Sequence, residues 1–141
     1  MLATIEQSLL EQLEPLTKLG LRIVGFPENP EELGRPIAYG QVLVGFKRES
    51  LQPPAHHNNG VSIVQSRRVE WDVVLQIKNL RSHAGAYPVM DKIRDLLTGF
   101  RPPDTLRPLY ETQADFVDLR DGIWTYNMTF AIDLIYTKKP W

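Results

Sequence analysis

The chain has 141 residues, is 43% hydrophobic and 23% charged, carries a formal net charge of -1 and has no cysteine. That length suits one domain with its own core, and the composition excludes a disulfide scaffold, thiolate metal sites, a thiol nucleophile and a globally basic nucleic-acid binder. No apolar run approaches the roughly 20 residues that span a bilayer, and "MLATIEQSLLEQLEPL" lacks a basic stretch ahead of its apolar residues, so neither a membrane anchor nor a signal peptide is expected.

Leu2, Ile5, Leu9, Leu13 and Leu16 recur at spacings of three and four, which predicts an amphipathic first helix. Pro15 has no N–H and clashes with the preceding turn, so the helix ends or kinks near Glu14, with Gly20 as a stop. Leu21–Phe26 and Ile37–Phe46 are strand candidates on either side of the proline-rich "PENPEELGRP". From Lys47 to Arg68 apolar periodicity fails, apart from "VSIV", and a long connection or arm is expected. It is locally basic, with Lys47, Arg48, Arg67 and Arg68 against Glu49. Its stretch Gln52–Gly60 is expected to be flexible until a neighbour orders it.

Alternation returns in "VEWDVVLQIKNL". Val69, Trp71, Val73, Leu75 and Ile77 share one face, opposite Glu70, Asp72, Gln76 and Lys78 together with Val74. A second helix is predicted in "AYPVMDKIRDLLTGFRPP". Pro88 suits its first turn, Val89, Ile93, Leu96 and Leu97 form its stripe, Gly99 suits the left-handed end, and Pro102–Pro103 forbid continuation. Leu109–Leu119 and Ile123–Tyr136 then read as a hairpin about Asp121–Gly122. In the last strand Trp124, Tyr126, Met128, Phe130, Ile132, Leu134 and Tyr136 occupy one face, and the mostly small or polar Thr125, Asn127, Thr129, Ala131, Asp133 and Ile135 the other.

The order α-β-β-β-α-β-β and these one-sided patterns predict a single α+β domain over 1–141: a largely antiparallel sheet with two helices on one face. Trp71, Phe130 and Ile132 are expected between the layers. The opposite face is too polar for a second core, so it meets water or another subunit.

Catalytic chemistry has little support. His56 and His57 are adjacent, so in an extended stretch they point apart, and no third ligand follows at helical spacing. His83 is expected as a solvated loop residue or cap contact. The carboxylate pairs Asp91/Asp95 and Asp115/Asp118 suit a solvated surface, and no glycine-rich phosphate loop or GxSxG is present. No cofactor or metal is called for, and an enzyme is not expected. The basic residues Arg48, Arg67 and Arg68 either keep strand ends soluble or meet phosphate or an acidic partner.

"GAYPVMDKIRDLLTGFRPP", "ADFVDLRDGIWTYNMTFAIDLIY", the "VGFP" of Val24–Pro27 and the central strand with Trp71 together make the chain resemble the tail terminators of Mu-like contractile-tailed bacteriophages. The likeness spans most of the chain and is least over Lys47–Arg68. It implies a structural virion protein that forms a hexameric ring, caps the head-proximal end of the tail tube, stops polymerisation and docks to the neck. The implied partners are further copies of the chain, the tube, sheath and neck proteins, and DNA passing through the lumen without sequence specificity. The implied location is the virion tail or neck, after assembly in the host cytoplasm. Arg48, Arg67, Arg68, Thr125, Asn127 and Thr129 are the candidate interface or lumen contacts. A head–tail connector or stopper, a headless contractile particle's cap and a small-molecule-binding module are the alternatives.

Overall fold

The structure is a computed structural model that describes residues 1–27, 39–54, 63–78 and 80–138. Helix α1 (Leu2–Gln12) leads through a 3-10 turn (Glu14–Leu19) to β1 (Leu21–Gly25). Strands β2 (Gly40–Leu51) and β3 (Ile63–Lys78), a short 3-10 turn (His83–Gly85), helix α2 (Tyr87–Leu97), β4 (Tyr110–Arg120) and β5 (Ile123–Lys138) follow. The sheet order is β1-β2-β3-β5-β4. Only β1 and β2 run parallel; the other neighbours are antiparallel. This is the α+β architecture and element order that the sequence predicts.

Local chemistry sets the element ends. Pro15 lies in the first turn of the 3-10 segment, and Gly20 closes it at φ 86°. In α2, Pro88 occupies the first turn, where no intrahelical partner for an N–H exists. Gly99 then takes φ 84°, and Phe100 N–H bonds back to the Leu97 carbonyl at 3.1 Å. Asp121 and Gly122 both have positive φ, 52° and 77°, as a two-residue turn with the right twist requires.

Alternation in β3 and β5 points every second side chain at the helices. Val69, Trp71, Val73, Leu75 and Ile77 are at most 1% exposed, and Met128, Phe130 and Ile132 are fully buried. They meet Ile5 and Leu9 of α1, Leu13 just after it, and Val89, Ile93 and Leu97 of α2 in one core. The even-numbered residues of β5 thus lie under the helices as the pattern predicts, although Tyr136 runs past them and is 44% exposed. Two polar ties fix the layers. Gln12 Nε2 donates to the Leu96 carbonyl at 2.7 Å, joining α1 to α2. Arg94 Nε donates to Glu111 Oε1 at 2.7 Å, joining α2 to β4.

Most of the described residues in the stretch expected as a connection over 47–68 are strand. β2 continues to Leu51 and β3 begins at Ile63, with Ser50 opposite Arg68 and Leu51 opposite Arg67. Apolar periodicity is absent because the core stops short: in β3 the first six residues include no buried one, and every second residue from Val69 onward is buried. The backbone ladder and the Arg67–Glu49 ion pair at 2.6 Å hold the strands together there instead. Residues 55–62, which carry His56, His57 and most of the stretch expected to be flexible, lie outside the described residues, as does 28–38 with most of the proline-rich connection.

Candidate assembly interface

The face of the sheet away from the helices carries a cross-strand polar ladder. Gln41 Nε2 donates to Gln76 Oε1 at 2.7 Å, and Gln76 Nε2 to Thr125 Oγ1 at 3.4 Å. Asp72 Oδ1 accepts from Asn127 Nδ2 at 3.1 Å and from Thr129 Oγ1 at 3.3 Å, and Lys47 Nζ lies 3.9 Å from it. Parity places Thr125, Asn127 and Thr129 on this face, as expected. Their environment differs from an open contact surface: Thr129 is 1% exposed and Thr125 9%. Neighbouring side chains across the strands close over these short hydroxyls, so contact with another molecule there runs through longer side chains. Leu43 and Ala131 are also buried on this face. Phe26 occupies the space into which a side chain at Gly45 would project. The face is thus mostly small or polar, as the pattern predicts, with a few buried apolar groups among the polar ones.

Alternation divides the three candidate arginines. Arg67 faces the helix side with Glu49 and lies 5.9 Å from the centre of the Tyr136 ring, with its side chain 17% exposed. Arg48 and Arg68 point from the opposite face, 64% and 53% exposed. There Arg68 Nε donates to Asp133 Oδ1 at 3.0 Å, and Arg48 approaches Glu70 at 3.8 Å. With Ser50, Ser66 and Arg107 they line an open groove of about 530 Å³. The hydrogen bond to Asp133 raises the Arg68 pKa above its ordinary value. These pairs bring acid and base together at a surface where each is worth little in isolation.

At the other end of the sheet His83 enters an aromatic cluster. Its Nδ1 is 2.9 Å from the Tyr126 hydroxyl. Its ring centre lies 4.8 Å from Phe116 and 5.0 Å from Trp124, both edge to face. The hairpin register places Phe116 opposite Tyr126 and Leu119 opposite Trp124. A histidine read as a loop residue therefore seats α2's approach on the hairpin, and only the fold brings these rings together. Tyr87, Phe116 and Leu119 remain 55%, 48% and 50% exposed around it. Among the described residues no group of three or more His, Asp or Glu side chains is arranged to hold a metal, and no helix is long and apolar enough to cross a membrane.

Burial raises the pKa of Tyr126 and, together with the hydrogen bond to Asp133, that of Tyr110. The folded chain thus holds these protons where the unfolded chain has begun to release them. This contribution to stability is full below the ordinary tyrosine value of about 10 and falls as pH rises through the higher folded values. Phenolate absorbance is expected to show a component that ionises above the ordinary tyrosine range and shrinks in Tyr110→Phe and in Tyr126→Phe. A single common titration, unaltered by Tyr110→Phe and Tyr126→Phe, overturns this.

The chain is a two-layer α+β domain with its core between helices and sheet, a polar ladder on the sheet's other face and exposed apolar groups at both ends of the sheet. The chain belongs to the Gp37 protein family, whose model matches residues 9–139. Among solved structures, a chain from the virion of a native gene transfer agent particle shares the fold at a TM-score of 0.64 and 13% identity, covering 95% of this chain and 96% of that one. No curated protein matches the sequence.

Proposed function

We propose that the chain is a structural virion subunit, the tail terminator that caps the head-proximal end of a tail tube. The observation that carries this reading is the end-to-end fold likeness to a chain from a gene transfer agent virion. Membership of the Gp37 family and the resemblance of the hairpin and second helix to the terminators of Mu-like phages support it. In this reading the subunit closes into a hexameric ring, stops growth of the tube and sheath, and presents its outer surface to the neck. DNA passes the ring without sequence readout, so any arginine that meets it does so through phosphate. The role is mechanical, requires no cofactor, and belongs to the tail or neck of the particle.

The test is particle assembly in cells lacking this protein. Tubes of aberrant length, or finished tails that fail to join heads, are expected, with rescue by the wild-type chain. Normal-length tails that join heads efficiently without it exclude the role. A connector or stopper instead leaves tail length normal and blocks only joining.

A further inference from the structure

We infer that the far ends of β2, β3 and β5 form an arm that docks on the β4 edge of the next copy of this chain, and that this head-to-tail joint closes the ring. The inference rests on the ring reading above.

The arm is an unfinished structure within one subunit. Beyond Val69 and Leu134 the core ends, yet the three strands continue in register. Leu51, Ile63 and Tyr136 are 52%, 46% and 44% exposed on one face, and Val64 and Ile135 are 42% and 53% exposed on the other. Apolar groups exposed on both faces of a narrow sheet mark a contact surface. β4 pairs with β5 only as far as Ala131, so among the described residues no strand lies beside the outer edge of β5 from Ile132 onward.

The complementary surface is β4. It is the last strand of the sheet, so among the described residues no strand lies beside its outer backbone edge. Phe116, Val117 and Leu119 are 48%, 54% and 50% exposed along it. Its charged groups are three acids and one base, Glu111, Asp115, Asp118 and Arg120, with Asp121 adjoining; Arg120 lies 3.9 Å from Asp118, so the edge is acidic in balance. The exposed arginines of the arm, Arg48 and Arg68, have the opposite sign. Two copies of β4 paired across a dyad would set aspartates against aspartates, which disfavours a self-complementary contact.

Position makes the joint directional. Leu119 pairs with Trp124, and Ile135 lies eleven positions further along β5. At the strand rise of about 3.3 Å per residue the two surfaces are roughly 36 Å apart. Two distinct, complementary patches on one subunit generate a heterologous contact, which builds rings or filaments rather than simple dimers.

The absence of cysteine permits a direct test. The variants Ile135→Cys, Leu119→Cys and the double variant are treated with a flexible bismaleimide, both as concentrated protein and in tail fractions. The double variant is expected to give a ladder of covalent multimers, and the single variants are expected to give none. Arg48→Glu in the double-cysteine background lowers the yield about tenfold, and Asp118→Arg added to it restores the yield. Dimers from either single variant mean a self-complementary contact and overturn the joint. Multimers seen by light scattering without the cross-link overturn it too, as does an absence of multimers in both settings. Undiminished cross-linking by Arg48→Glu, with weakened DNA retention, assigns the arginines to DNA and overturns the charge pairing. A ladder in particles whose tail length is indifferent to the protein leaves the joint standing and removes the terminator role.

Discussion

Replacing Phe130 by alanine is expected to lower the free energy of unfolding by about 3–5 kcal/mol, the largest effect of any substitution considered. Phe130 is fully buried, stands opposite Trp71 on β3, and belongs to the cluster that α1 and α2 cover. Truncation removes the burial energy of the ring and leaves a void that flanking strands, fixed by their ladders, cannot close. Trp71, 1% exposed beside it, loses the packing of the ring as well. Denaturant melts with an unchanged m-value measure the difference. A loss below about 1 kcal/mol would mean that the core relaxes into the void, contrary to the packing described here. Phe116→Ala is the matched comparison, because that ring is 48% exposed and far less packing goes with it.

Gly40→Val is expected to destabilise the chain by about 1–3 kcal/mol, although valine is a better strand former than glycine. Two effects of opposite sign compete. Strand preference spans about 1 kcal/mol in all and favours valine. Against it, even the first carbon of a side chain at Gly40 would stand 2.8 Å from the Gln76 carbonyl oxygen and 2.6 Å from Leu21 Cδ2. Leu21 can move, but the Gln76 oxygen is main chain in the strand beside it. The steric term therefore wins. Thermal melts of Gly40→Val with and without Leu21→Ala separate the two contacts: shortening Leu21 is expected not to restore stability. Full restoration would mean that the side chain, not the backbone, sets the limit.

The sequence by itself determined the element order, both helix ends and the faces of β3 and β5 that seek the core. These depend on interactions within a few residues: the missing N–H of Pro15 and Pro88, the left-handed φ of Gly20, Gly99 and Gly122, and the two-residue period from Val69 to Ile77. The candidate surface was legible in part, because parity separates Thr125, Asn127 and Thr129 from the buried even-numbered residues of β5.

Only the tertiary structure decided what those polar groups do. Thr129 meets Asp72 from 57 positions away, and that pairing buries a hydroxyl that local sequence leaves in water. It also decided that Arg67 and Arg68 part company, because β3 continues to Ile63 where periodicity gives no sign of a strand. Backbone pairing with β2 and β5 sustains that extension, and a hydrogen-bond ladder leaves no mark in the hydrophobic pattern when no helix covers it. For the same reason His83 reads as a loop residue in the sequence, while the hairpin register surrounds it with Phe116, Trp124 and Tyr126.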